Sequence, residues 1–361
     1  MRFVSLFSGA GGLDLGFEWA GFEPLIAFDV DPAAVQTYNY NRSAEIAVQG
    51  DLSELTGDDI ICRINRLPLD DVPCGVVGGP PCQYYSNGNR ATRRDNDPRR
   101  TLPASYAKTL RRLNEEYNLD FFILENVYGL VHPSHHEDFN HIIQLFEQAG
   151  FRVFTSVLNA YNFGVPQVRR RVFLVGWSST RYPDAEYTFP AGVPCGRTVR
   201  DAIYGLNEPV FWSRNLDPDD FPEHPNHWTM QPVSEKFRNP APAGLGRYTR
   251  SFRRLSWDAP SDTVAYGHNE IHVHPEGHRR LSIYEAMLIQ GFPRGRQTYR
   301  LLGSFSKQVT LISDVVPPPL AEALAQSVVQ FITDHSDHVR LDRETRPENT
   351  EATVRLVSHR R

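Results

Sequence analysis

Short apolar runs that end in glycine, proline or a carboxylate recur through the first half of the chain, and this pattern restricts the fold more than any other feature. Phe3-Val4-Ser5-Leu6-Phe7 and Val172-Phe173-Leu174-Val175-Gly176 are apolar nearly throughout and do not alternate with polar residues. Strands of that kind are covered on both faces, as in parallel sheets. Residues 24–28, 45–49, 74–77, 120–124 and 152–158 read as further strands, and residues 13–20, 105–117 and 137–149 read as helices between them. Strands interleaved with helices predict an α/β chain with a doubly wound, mostly parallel sheet. At 361 residues the chain is long enough for one large domain or two unequal ones.

In open α/β sheets, ligands bind beyond the carboxyl ends of the strands, so the residues there are the candidates for chemistry. After the first strand, Ser8-Gly9-Ala10-Gly11-Gly12 forms a glycine-rich turn into a helix, as in a nucleotide-type site. Asp29 closes the second strand, where a carboxylate is expected to accept from ribose hydroxyls, and Asp51 follows the third, placed to accept from an amine. The fourth strand leads into Gly78-Gly79-Pro80-Pro81-Cys82-Gln83. Two glycines allow close approach to a ligand, and two prolines fix an extended path that presents one thiol. By itself this motif reads equally well as a turn with a buried cysteine or as a nucleophile. Glu125-Asn126-Val127 ends the fifth strand, and an isolated glutamate there reads first as a cap or a solvated carboxylate. Arg169 and Arg171, two apart on an extended segment, should share a side. Beside a thiol and a carboxylate, they suit an anion or a base carbonyl better than a solvated edge.

Net charge is −5, but residues 90–112 hold eight basic side chains against two acidic ones. Phosphate binding depends on local charge, so this run after Cys82 outweighs the global sum. Four cysteines without a short paired spacing predict neither disulfides nor zinc, and His132, His135, His136 and His141 read as solvated loop residues; no metal is expected. Without a long apolar run or a signal-peptide pattern, the expected location is cytoplasmic, with no membrane partner. Residues 177–250 are proline-rich and aperiodic, mixing aromatic and basic side chains, and predict a small loop-rich second domain. Helices at 282–290 and 320–332 return the chain to the first domain (1–176 with 251–333), and residues 334–361 read as a charged, flexible tail.

Together these residues resemble the DNA cytosine-5 methyltransferase family over nearly the whole chain outside 177–250. Phe7-Ser8-Gly9-Ala10-Gly11-Gly12 matches its cofactor loop, Gly50-Asp51 its third-strand site and Pro80-Pro81-Cys82-Gln83 its catalytic loop. Glu125-Asn126-Val127 matches its ENV motif, and Gln167, Arg169 and Arg171 its Gln-x-Arg-x-Arg motif. Arg254, Thr263-Val264, His274-Pro275, Arg280-Leu281-Ser282 and Gln290-Gly291-Phe292-Pro293 resemble its C-terminal motifs. The resemblance implies a Rossmann-like fold with a target-recognition domain, S-adenosylmethionine as cofactor and double-stranded DNA as partner. It implies catalysis by Cys82, Glu125, Arg169 and Arg171. Cofactor contacts would come from Phe7, Ser8, Gly9, Ala10, Gly11, Gly12, Leu13, Asp29, Val30, Asp51, Leu52 and Pro80. DNA contacts would come from Gln83, Ser86, Arg90, Arg93, Arg94, Arg99, Arg247 and Arg250. A restriction-modification role is expected, as a monomer, with a cognate endonuclease acting on the same site without a stable complex. A tRNA methyltransferase of this fold, whose Cys-Phe-Thr signature is missing here, and a DNA-binding regulator without catalysis are the alternatives. Asp29 stands where the family has Glu, Tyr85 where it has Phe, and Ser313-Asp314 where it has Gly-Asn before Val-Pro-Pro. The last change is expected to weaken cofactor binding or alter its pH dependence.

Overall fold

A computed structural model describes residues 1–67, 72–81, 101–213, 215–233, 235–237, 253–263, 272–295 and 298–335. The first half alternates as expected: β1 Arg2–Leu6, α1 Gly12–Trp19, β2 Glu23–Asp29, α2 Pro32–Tyr40, β3 Ala47–Gln49, α3 Gly57–Ile64 and β4 Gly75–Gly78. There follow α4 Leu102–Tyr117, β5 Phe121–Val127, α5 His136–Gln148, β6 Phe151–Asn159, β7 Gln167–Val168 and β8 Arg170–Ser178. Beyond the sheet come α6 Val199–Ile203, β9 Val210–Phe211, β10 Trp228–Thr229, β11 Ser261–Asp262, α7 Ile283–Ile289, α8 Phe305–Asp314 and α9 Pro318–Asp334.

The seven-stranded sheet has the order β3-β2-β1-β4-β5-β8-β6. Strands β1 to β5 pair in parallel, and β8 runs antiparallel to both β5 and β6. The order reverses between β1 and β4, so the loops after them diverge and leave a crevice at their carboxyl ends. Period-2 geometry explains the continuous apolar strands. Val4, Leu6, Phe122 and Leu124 enter one core with α3, α4 and α5, whereas Phe3, Phe121 and Ile123 enter the other with α1 and α9. Local chemistry sets several helix starts. Asp31 accepts from the Ala33 N–H at 2.9 Å to open α2, with Pro32 at its first position, and Thr56 with Asp59 forms a capping box on α3.

Some expectations are corrected. The domain boundary placed after Gly176 falls inside β8, whose Trp177 is fully buried and stacks on Phe331 of α9 at 3.8 Å. Aromatic and proline-rich composition there reflects packing against α9, since Tyr182 and Tyr187 join the same core. Asn226-His227-Trp228, expected in a loop-rich module, are fixed to the C-terminal helices. Asn226 donates to the Leu301 carbonyl and to Gln308 Oε1 at 2.8 and 3.0 Å, and Trp228 Nε1 donates to Gln308 at 3.1 Å. His135 is buried at the start of α5 rather than solvated. Arg111 and Arg112, counted with the basic run, are engaged by Glu115, Asp58 and Glu116 on the α4 surface.

Candidate active site

Both loops bordering the crevice are built by the sheet itself. After β1, Phe7 takes a left-handed conformation (φ 56°) and its ring stacks on Tyr106 of α4. The Gly9 N–H donates to Asp29 Oδ2 and the Asp31 N–H to Asp29 Oδ1, each at 2.8 Å, so Asp29 ties the glycine loop to the start of α2. Burial pushes the Asp29 carboxyl up from its ordinary value, and the N–H donors of Asp31 and Gly9 oppose this. Val30 beside it is exposed and apolar, suited to lie against a flat ring. Asp51 is exposed, and its carboxyl is held below the ordinary value by hydrogen bonds from the Ser53 hydroxyl and N–H. Leu52 is buried under it and Leu13 under the start of α1. Two observations fit this loop to a polar ligand: the buried Ser8 Oγ has no hydrogen-bond partner among the described residues, and the N-cap of α1, Gly11, offers no side chain to its first N–H groups.

The second half of the site follows from strand register. Arg171 pairs with Val127 across β5 and β8, which puts it diagonal to Glu125 on the same face. Arg171 Nε lies 2.9 Å from Glu125 Oε1, an ion pair by distance, but off the axis of a good hydrogen bond, so that Oε1 keeps bonding capacity. Burial raises the Glu125 carboxyl above its ordinary value; Arg171 and Arg169 oppose this and Asp314 adds to it. Burial likewise lowers Arg171, with Glu125 and Asp314 opposing. Glu125 is therefore a carboxyl biased toward holding a proton, which the expectation of a cap or a solvated carboxylate misses. Gly79 makes room for it. A Cβ there would stand 2.9 Å from Glu125 Oε2, so any side chain would displace the carboxyl. Pro80 is buried, and its carbonyl accepts from Asn126 Nδ2 at 3.4 Å, joining the β4 loop to the β5 end.

Arg169 sits between β7 and β8, and its guanidinium, like that of Arg171, acts on Glu125 and Asp314. It is wholly buried, and one of its guanidinium nitrogens donates to the Ser313 carbonyl at 2.9 Å. That carbonyl belongs to the last turn of α8, so Arg169 caps a helix end. Gln290 Nε2 does the same for the neighbouring Ile312 carbonyl. The candidate residues Cys82, Gln83, Ser86, Arg90, Arg93, Arg94, Arg99, Arg247 and Arg250, together with Tyr85 and Val264, lie outside the described residues.

Sequence reasoning missed two features. Arg279, one residue before the quoted Arg280-Leu281-Ser282, is buried and binds both oxygens of buried Glu285 at 2.9 Å, as well as Glu208 at 2.8 Å. Glu285 also closes the capping box of α7 with Ser282, so the Ser-x-x-Glu spacing was the available signal. His274, Glu276 and His278 also bring ligand-type atoms within 4.8 Å of one another. His274 Nδ1 already accepts the Glu276 N–H, and its Nε2 lies 3.8 Å from Glu285, so the group is read as part of the Arg279 network.

Comparison with known proteins agrees with this geometry. The family model for C-5 cytosine-specific DNA methylase matches residues 1–330. The Type II methyltransferase M.FnuDI of Fusobacterium nucleatum is 31% identical, with 92% of this chain and 96% of that protein covered. M.MthTI of Methanothermobacter thermautotrophicus is also 31% identical, over 91% and 97%. Among solved structures, a DNA modification methyltransferase encoded within an E. coli prophage superposes with a TM-score of 0.74 at 22% identity, covering 92% of this chain and 99% of that one. The S. pombe Dnmt2 methyltransferase superposes at 0.59 with 16% identity, over 92% and 99%; at these identities both show the shared fold. The chain belongs to the C-5 cytosine-specific DNA methylase family and uses S-adenosylmethionine to methylate cytosine in DNA.

Proposed function

We propose that the chain methylates one cytosine in a fixed duplex sequence, with Cys82 as nucleophile and Glu125 as acid, as a DNA (cytosine-5-)-methyltransferase of a Type II restriction-modification pair. The observation that carries this reading is the Glu125 carboxyl, buried beside Arg171 and facing Gly79, three residues before Cys82 in the chain. Carbon 5 of cytosine is too weak a nucleophile to attack a methyl sulfonium unaided. Addition of the Cys82 thiolate to carbon 6 pushes electron density to carbon 5, while Glu125 gives its proton to ring nitrogen 3 and prevents charge from building up. Its raised proton affinity suits that task. The Arg171 guanidinium, fixed on β8, is placed to hold the base carbonyl oxygen. When bound, the cofactor supplies an electrophilic methyl group. Loss of the carbon 5 proton and departure of Cys82 then restore the aromatic ring. Ser8, the N–H groups opening α1, Asp29, Val30 and Asp51 would hold the cofactor.

None of this is possible within a stacked duplex, so the target base must be flipped out, at a cost of a few kcal/mol. The basic run after Cys82 would bind phosphates, and target readout would lie between α6 and β11. There Trp212, Met230 and Val233 are exposed, an apolar set suited to a macromolecular surface. Relatives named as Type II methyltransferases support a paired endonuclease acting on the same sequence. We further propose that the protein works as a cytoplasmic monomer. Among the described residues no helix is long and apolar enough to cross a membrane.

A duplex substituted with 5-fluorocytosine tests the mechanism. Fluorine cannot leave as a proton does, so a denaturant-stable protein–DNA adduct should form in the presence of cofactor and map to the Cys82 peptide. Methylation of normal DNA without such an adduct would overturn the nucleophile assignment.

A further inference from the structure

Asp314 is an acidic residue on the last turn of α8, where the negative end of the helix disfavours it. Helix α8 runs along the crevice. Near its start, Lys307 reaches Asp31 at 2.7 Å, two residues beyond Asp29, and near its end the Ser313 carbonyl is held by Arg169. The next residues seal against the cofactor loop. A Cβ on Gly12 would lie 2.3 Å from Val315 Cγ2 and 2.4 Å from the Val316 carbonyl oxygen, so α1 and the 315–316 segment are in direct contact. Asp314 is thereby fixed between the loop that would carry the cofactor and the arginine pair beside Glu125.

Its surroundings agree with this position. The charged groups acting on Asp314 are Arg169 and Arg171 from the β7–β8 side and Asp29 from the end of β2, and Asp314 in turn acts on Glu125 at the end of β5. Although surrounding protein raises its carboxyl above the ordinary value, Asp314 itself is exposed. With the cofactor ribose at Asp29 and the base at Glu125, the transferring sulfur must lie between those carboxylates. That places it in the field of Asp314.

We infer that Asp314 makes this site select the methyl donor, whose sulfur is cationic, over the product left after transfer, whose sulfur is neutral. Methyl transfer breaks the sulfur–methyl bond and leaves its electron pair on sulfur, so a sulfonium becomes a thioether and the ligand loses one positive charge. A fixed carboxylate therefore favours the donor and helps release the product. A neutral amide at the same position would bind both alike. The inference rests on the reading of the glycine loop and Asp29 as the cofactor site, and adds a charge preference to it.

Calorimetric titration of the full chain tests this without turnover. S-adenosylmethionine, S-adenosylhomocysteine and sinefungin, whose amine replaces the sulfonium, are titrated into wild type, Asp314→Asn and Asp29→Asn at pH 8. In Asp314→Asn the donor should weaken on the order of tenfold and the product by less than threefold, with sinefungin following the donor. Because the ratio is taken within one variant, a loss of folded protein cancels. Asp29→Asn should weaken all three together, since they share the ribose. An unchanged donor-to-product ratio in Asp314→Asn, with normal binding to wild type, would overturn the charge selection alone. Failure of wild type to bind any of the three would overturn the cofactor site and the inference with it.

Discussion

Glu125 sits in a buried environment that an isolated glutamate at a strand end does not announce. An ordinary carboxylate would be ionised at neutral pH and useless as an acid, but burial holds this one above its ordinary value against the pull of Arg171 and Arg169. The reactive form is the protonated one, so turnover should fall as pH rises through the raised Glu125 value. Removing the negative charge of Asp314 lowers that value, and the alkaline limb of kcat in Asp314→Asn should move to lower pH. Glu125→Gln should lose about 100-fold or more in kcat and also lose that limb. Rate measurements across the pH range in which the protein stays folded decide, and an alkaline limb unchanged in both variants would remove Glu125 from the acid role. The motif Glu125-Asn126-Val127 was legible in sequence. Its partner Arg171 was recognised as a candidate, whereas the different duty of Arg169 was not, because helix capping by a residue 144 positions distant leaves no local signal.

At the scale of elements, β1, β4, β5 and β8 were legible because each holds a continuous apolar run covered on both faces, whereas the edge strand β6 exposes Arg152, Thr155 and Val157. Helices α2, α3 and α8 went unread. Each carries polar residues through much of its length, so only caps such as Asp31, Thr56 and Ser304 announced them. The Arg279–Glu285 pair shows how a cap becomes a tertiary joint. Glu285 opens α7, and the same carboxyl neutralises a buried guanidinium that also reaches Glu208. Burial acts against ionisation of Glu285, but Arg279 outweighs it and holds the carboxyl below its ordinary 4.5. A depressed folded-state value adds stability that is full above the unfolded value and is lost as pH falls through the folded one. Glu285→Ala should therefore cost about 3 kcal/mol near neutrality, because it removes the buried partner of Arg279 and leaves the guanidinium to the more exposed Glu208. Urea denaturation at pH 7 and pH 3.5 should show a smaller loss at the lower pH, and an equal loss at both would contradict the assigned ion pair.

In the whole molecule, the sheet's switch point, the glycine loop and the arginine pair converge from segments far apart in sequence. Motif order conveyed that assembly, but the seam between the two parts of the chain was misjudged. Prolines and aromatics after Gly176 suggested a separate module, yet Trp177, Tyr182 and Tyr187 pack on α9, and Asn226 and Trp228 are bound to α8 and its approach. Composition cannot distinguish an aromatic that packs inward from one that meets a ligand. Exchanging residues 204–250 with the same region of a relative should move sequence preference without abolishing methylation, and an unchanged target would place readout elsewhere. The most direct test is methylome sequencing of a methylation-free host expressing the chain. The account predicts 5-methylcytosine at one cytosine of a single fixed motif, absent when Cys82→Ala is expressed at equal level. Unmodified cytosine throughout with folded wild-type protein, or full methylation by Cys82→Ala, would contradict it.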